Sequence, residues 1–445
     1  MGFMDTIRKK AVGVLPFFAV AYVATLPWTW AIRSASSGRL GTVWTLSITV
    51  TLIALGLVAR SQSLDWKGRT LRSILLSPWT WAIAILIWAL LSLLWSLDPR
   101  YSLGRSLQLA SLIAATWAVS QLSGKAIRVL LGTLAISTAG TAGVLLAQSG
   151  NNVRPWLGLM DPNTASFALL IGYVSAITVW TTASRLSTRI MGLAASAILI
   201  SGIVLAASRS ALLGLVLLYI AITVLVLLKK IKIHVFVIAL MTIFWSTVVT
   251  SLFVGPFSDL KSRVTSDVAG PFSGLIFDRS IDFSDPAVAD LNGRLQIWTQ
   301  YLELVGDWGA KGYGLGIQAA NVPGANFGNY DPHSVPLQLG VQLGVVGLSL
   351  WIIMVALFLR AALSCSHGHI AILMWIAIAP LALTTATADL AIFWVPFSLA
   401  GVCLIRGSDK ATPEGDQGSS NIQYPIPQNQ KISRVYKRYI RPRKN

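Results

Sequence analysis

Residues 190–228 read IMGLAASAILISGIVLAASRSALLGLVLLYIAITVLVLL, thirty-nine positions of which only Arg209 carries a charge. One membrane span needs about 20 apolar residues, so this stretch holds two helices. The turn between them falls at Ser208-Arg209-Ser210. It holds a permanent positive charge at the edge of the hydrocarbon, where charge is costly and usually marks function. A guanidinium matches phosphate geometry, and lipid-linked phosphate sits at that depth. Snorkelling to ordinary headgroups is the competing reading.

Working outward, the same texture covers most of the chain. Its 445 residues are 54% hydrophobic and 12% charged, with mean hydropathy +0.67. A soluble protein carries about 25% charged residues. Apolar runs lie near 11–32, 40–59, 74–96, 106–122, 129–148, 163–182, 190–207, 211–228, 235–254, 335–359, 370–388 and 390–405. The expected fold is an all-α polytopic membrane protein with about twelve transmembrane helices.

The net charge of +18 first suggests nucleic acid. Its distribution excludes that class. With the N-terminus inside and the sides alternating, inner segments hold 24 of the 35 basic residues and 5 of the 17 acidic ones. Outer segments hold 11 basic and 12 acidic residues. This is the positive-inside bias, and it predicts cytoplasmic termini with no polyanion partner. The two cysteines, Cys365 and Cys403, fall at or near the inner side, which suggests neither a disulfide nor a thiolate metal site. The first apolar run is longer than the core of a signal peptide, so it reads as a retained helix.

Four regions follow. Residues 1–254 carry helices one to nine, 255–334 form a long external loop, 335–405 carry the last three helices, and 406–445 form a basic, disordered cytoplasmic tail. Every other loop is short, and a loop of about eighty residues implies a role. Within it, residues 291–308 place Leu291, Leu295, Trp298, Leu302 and Val305 on one helical face. An amphipathic helix lying on the membrane or over the bundle is expected there.

Among the histidines only His333 falls outside, in Asp331-Pro332-His333-Ser334, where the loop re-enters the membrane. Such a group suits proton abstraction from a hydroxyl; capping the following helix is the plainer alternative. No nearby set of histidines and carboxylates has zinc spacing, so no metal is expected. Nine of the eleven outer basic residues are arginine. Arg209, Arg294 and Arg154 are the candidates for phosphate, with pairing to outer aspartates as the alternative. Asp389, between the last two helices, could pair with an arginine or orient His333, or simply make a turn. The run Gly312-Tyr313-Gly314-Leu315-Gly316 has no strand before it, so it is not a dinucleotide fingerprint.

Taken in order, several short motifs resemble the O-antigen ligase and O-antigen polymerase family of the bacterial envelope. They are Leu94-Trp95-Ser96-Leu97-Asp98-Pro99, Asp161-Pro162-Asn163, Ala207-Ser208-Arg209-Ser210, Gly293-Arg294 through Trp298, Gly312 through Gly316, and His333-Ser334 followed by Gly340 to Gly347. Ser334 stands where many members have Asn. The resemblance implies a C-type glycosyltransferase-like membrane fold. It implies a donor glycan on polyprenyl (undecaprenyl) diphosphate at the outer face of the bacterial inner membrane. Transfer goes to an acceptor hydroxyl on a lipid or saccharide, with no cofactor, metal or nucleotide sugar. Carried over by position, Arg209 and Arg294 would hold the diphosphate and His333 would act on the acceptor. Arg154 is a further phosphate candidate, with Asp389, Asp161 and Asn163 in support. A polymerase acting on lipid-linked repeats is the near alternative. A lipid-linked glycan transporter is the distant one, since transporters favour charge near the midplane and paired halves.

Overall fold

The computed structural model describes residues 2–28, 39–60, 71–148, 162–206, 208–253, 298, 301–302, 309–317, 334–365, 368–384 and 391–409. The chain divides into two compact units, Met1–Gly407 and Ser408–Asn445, and the first carries the fold described below. Among the described residues every regular element is helical.

The helices are α1 (Gly2–Thr25), α2 (Arg39–Arg60), the short α3 (Leu71–Leu75), α4 (Pro78–Leu91), α5 (Pro99–Ser120), α6 (Gly124–Gln148), α7 (Pro162–Thr182), α8 (Leu186–Leu205), α9 (Arg209–Leu227), α10 (Ile233–Phe253), α11 (Val335–Leu363), α12 (His369–Thr384) and α13 (Val395–Asp409). Single 3₁₀ turns at Leu26–Trp28, Ser92–Leu94 and Ala391–Trp394 follow α1, follow α4 and precede α13. Among the described residues each of the twelve apolar runs overlaps at least one of these helices. By length and composition, α1, α6, α7, α8, α9 and α11 are sufficient to cross a membrane. The apolar parts of α2, α4, α10, α12 and α13 are shorter.

Some boundaries differ from the hydropathy reading for local chemical reasons. The run 74–96 is split because Pro78 starts a new helix, with Ser77 extended before it. Helix α5 begins seven residues early, at Pro99. Asp98 caps it by accepting from the Tyr101 amide at 3.0 Å, so polar Arg100 and Arg105 are drawn into the helix.

Helix α7 is the centre of the bundle. From Ala165 to Ile177 every side chain is buried, as expected for a helix apolar on all faces. It packs against α6, α8, α9 and α12. Close approach uses small residues, as in membrane bundles generally. A Cβ on Gly202 of α8 would stand 2.7 Å from that of Ala142 in α6, and one on Gly214 of α9 would strike the Ala377 carbonyl of α12. A buried hydroxyl cluster ties α7 to α9 and α10. Tyr173 Oη lies 2.6 Å from Tyr219 Oη and 2.8 Å from Thr242 Oγ1, and the latter two each reach the Ala239 carbonyl. Helix α9 is thus fixed along its length before its charged end is considered.

Candidate functional site

Arg209 is the first residue of α9. Ser208 before it is extended and caps the helix, its Oγ accepting from the Ala211 amide at 3.4 Å. The Ser208 hydroxyl is almost fully buried and donates to Asn163 Oδ1 at 2.7 Å. Asn163 is the second residue of α7. On the other side of Arg209, the hydroxyls of Ser210 and Thr384 lie 2.6 Å apart, and Thr384 is the last residue of α12. The backbone of Arg209 is therefore held between two neighbours, each tied to a different helix. Two helix N-termini, those of α7 and α9, meet through the Ser208–Asn163 bond. Each contributes about half a positive charge, partly offset by the C-terminus of α12. Such a junction favours an anion.

The second cluster is a break in α11. Gly344 adopts φ 69°, ψ −172°, which only glycine takes without strain, and it splits the helix into halves at 335–343 and 345–363. The sequence reading had an unbroken helix over 335–359. The backbone groups freed by the break are taken up by the segment Gly309–Ile317. The amides of Val345 and Val346 donate to the carbonyls of Gly309 and Ala310 at 3.3 and 3.2 Å. The Tyr313 and Gly314 amides donate to the carbonyls of Val341 and Gln342 at 3.0 and 2.9 Å. Trp88 Nε1 of α4 donates to the Leu343 carbonyl at 2.8 Å. Irregular backbone survives at membrane depth only where protein satisfies it in this way. A Cβ on Gly312 would stand 2.5 Å from the Gly344 nitrogen. Gly312 thus permits backbone-to-backbone contact, and Gly314 and Gly316 make room for the side chains of Ser96 and Arg105, roles that hydropathy and spacing did not reveal.

The same segment grips the start of α5. The Leu97 amide donates to the Tyr313 carbonyl at 3.2 Å, and Trp95 Nε1 donates to the Lys311 carbonyl at 3.2 Å. The Leu94–Pro99 motif and the glycine run, more than two hundred residues apart, form one joint. Beside it, Arg105 donates to Tyr101 Oη (2.8 Å from Nη2) and to Gln108 Oε1 (2.9 Å), and its stem packs on Gly316. Helices α11 and α12 are packed neighbours joined by a short turn. The N-terminal half of α11 therefore lies at the same end of the bundle as Thr384.

Residues 194–352 match the family model described as O-Antigen ligase. This match supports an O-antigen ligase/polymerase-like family. No curated protein matches the chain. The matched segment runs from within α8 into the second half of α11, so Arg209, Arg294, His333 and the Gly344 break all fall inside it. The Leu94–Pro99 and Asp161–Asn163 motifs precede it, yet the structure joins both to it, through Tyr313 and Ser208.

Of the residues selected from sequence, Asn163 and the backbone of Arg209 stand together at the α7–α9 junction. Arg154, Asp161, Arg294, His333 and Asp389 lie outside the described residues, as does the Arg209 side chain. Of the helix expected over 291–308, Trp298, Tyr301 and Leu302 are described and helical; Tyr301 is fully buried and Leu302 exposed. Sequence reasoning took Ser210, Gln342 and Gly344 only as parts of motifs and gave them no role of their own, and Thr384 left no signal at all.

Proposed function

We propose that this protein moves a glycan from a polyprenyl diphosphate to an acceptor hydroxyl at the outer face of the bacterial inner membrane. The match of residues 194–352 to the O-Antigen ligase model supports a membrane glycosyltransferase acting on lipid-linked glycan. The observation that carries the finer reading is the α9 junction. It holds the backbone of Arg209 at a point where two helix N-termini converge, an arrangement that suits an anion such as a diphosphate.

In this reading Arg209, Arg294 and Arg154 hold the diphosphate. Their charge offsets the negative charge that develops as the anomeric carbon–oxygen bond to phosphate breaks. His333 takes the proton of the acceptor hydroxyl as its oxygen bonds to that carbon. Polyprenyl diphosphate leaves with the bond's electron pair, so the charges balance without a metal. Asn163, Asp161 and Asp389 hold these groups in register.

The test is transfer by purified protein in a bilayer, given undecaprenyl-diphosphate glycan and either a lipid A-core saccharide or a single lipid-linked repeat. The first acceptor identifies a ligase and the second a polymerase. His333→Ala is expected to abolish transfer while lipid binding persists. Arg209→Lys is expected to lower kcat/KM at least tenfold, because a point charge replaces a two-pronged donor. Flux of glycolipid without transfer would establish the transporter alternative instead.

A further inference from the structure

The first half of α11 carries a polar stripe that the proposed chemistry has not used. Ser334, Gln338 and Gln342 recur every four residues and share one face. Gln342 is buried and occupied, its Nε2 donating to the Ile317 carbonyl at 3.4 Å. Gln338 differs. Among the described residues its Oε1 is buried and has no hydrogen-bonding partner. Buried amide oxygens are almost always paired, and one that is not needs a reason. Slack in the element does not supply one. This half-helix is fastened through the carbonyls of Val341, Gln342 and Leu343 to Tyr313, Gly314 and Trp88. Helix α11 as a whole packs against α4. A side chain on so fixed an element is presented to a ligand with little reorganisation.

We propose that the Gln338 amide is a sugar-binding group, its Oε1 accepting a hydroxyl of one of the two glycans. The inference rests on the transferase reading in one respect: that glycans are the substrates at this end of the bundle. A neutral amide suits a neutral polyhydroxylated ligand, whereas the diphosphate calls for cations. The hydroxyl belongs to the donor glycan or to the acceptor, and kinetics distinguish the two.

Gln338→Met keeps the volume and removes the oxygen. Because the oxygen has no partner among the described residues, its loss is expected to leave Tm unchanged or raised. The KM of one substrate, donor or acceptor, is expected to rise roughly three- to tenfold, the range of one neutral hydrogen bond. The rise in Tm caused by that same glycolipid should shrink in parallel, a readout that does not need turnover. Unchanged KM for both substrates overturns the proposal. So does a Gln338→Met protein of lowered Tm, since that reveals an internal partner. His333→Ala in the same preparation separates the two claims: transfer that survives it removes the general base and leaves the Gln338 binding result standing on its own.

Discussion

At the scale of single residues, the chemistry depends on how side chains are held as much as on which they are. Ser208 accepts from the Ala211 amide and donates to Asn163, so one hydroxyl both starts α9 and links it to α7. Asn163→Ala removes the acceptor and leaves a buried hydroxyl to find another, at a cost of about 1–3 kcal/mol. In the proposed reading Asn163 acts through the Arg209 backbone rather than on substrate, as a positioning residue. Its loss is expected to raise the donor KM severalfold more than the acceptor KM, and Asn163→Asp, which keeps the accepting oxygen, to restore most of the difference. Equal changes in both would show a general loosening instead. The imidazole of His333 must be neutral to take a proton. In the proposed reading, transfer is therefore expected to fall at mildly acid pH as the imidazole takes up a proton. A rate flat from pH 5 to 8 would remove the base.

At the scale of elements, the break in α11 shows what a hydropathy pattern can and cannot carry. The pattern located α11 because apolar side chains lie on both sides of Gly344. It could not show the break, since a glycine in an apolar run reads the same whether the backbone is helical or not. What decides is a partner: the segment Gly309–Ile317, whose amides and carbonyls replace the missing helical bonds. Gly344→Ala tests that account. The new Cβ would meet the Ala310 carbonyl in a backbone conformation that side chains rarely adopt. The strain is of order 1–3 kcal/mol before the clash is counted. The variant is expected to melt several degrees lower and to expose the 309–317 segment to protease. Gly13→Ala of α1, where a Cβ meets nothing within 4 Å, should do neither. The α5 start shows the converse. Asp98 caps the helix that Pro99 starts, but a polar first turn hid that start from a hydropathy reading. Likewise the DPN and SRS motifs were visible singly. Their bond was not, because contacts forty-five residues apart leave no periodic trace.

At the scale of the whole molecule, the distribution of charge makes a claim about sidedness that the helix order turns into an experiment. The start of α6 and the turns between α7 and α8 and between α9 and α10 carry Lys125, Arg185, Lys229, Lys230 and Lys232. Lys311 and the start of α9 belong to the opposite end of an alternating bundle. The positive-inside bias assigns the first set to the cytoplasm. Lys230 and Lys311 are both exposed, so each can be replaced by cysteine with little cost to packing. Cys365 and buried Cys403 are first changed to alanine to give a silent background. In intact spheroplasts a membrane-impermeant maleimide is expected to label Lys311→Cys and to spare Lys230→Cys until the membrane is opened. The reverse pattern would put the glycine segment, and with it the α7–α9 junction, in the cytosol. A donor carried on the outer leaflet could not then reach the arginine, and the transferase reading would fail on geometry alone.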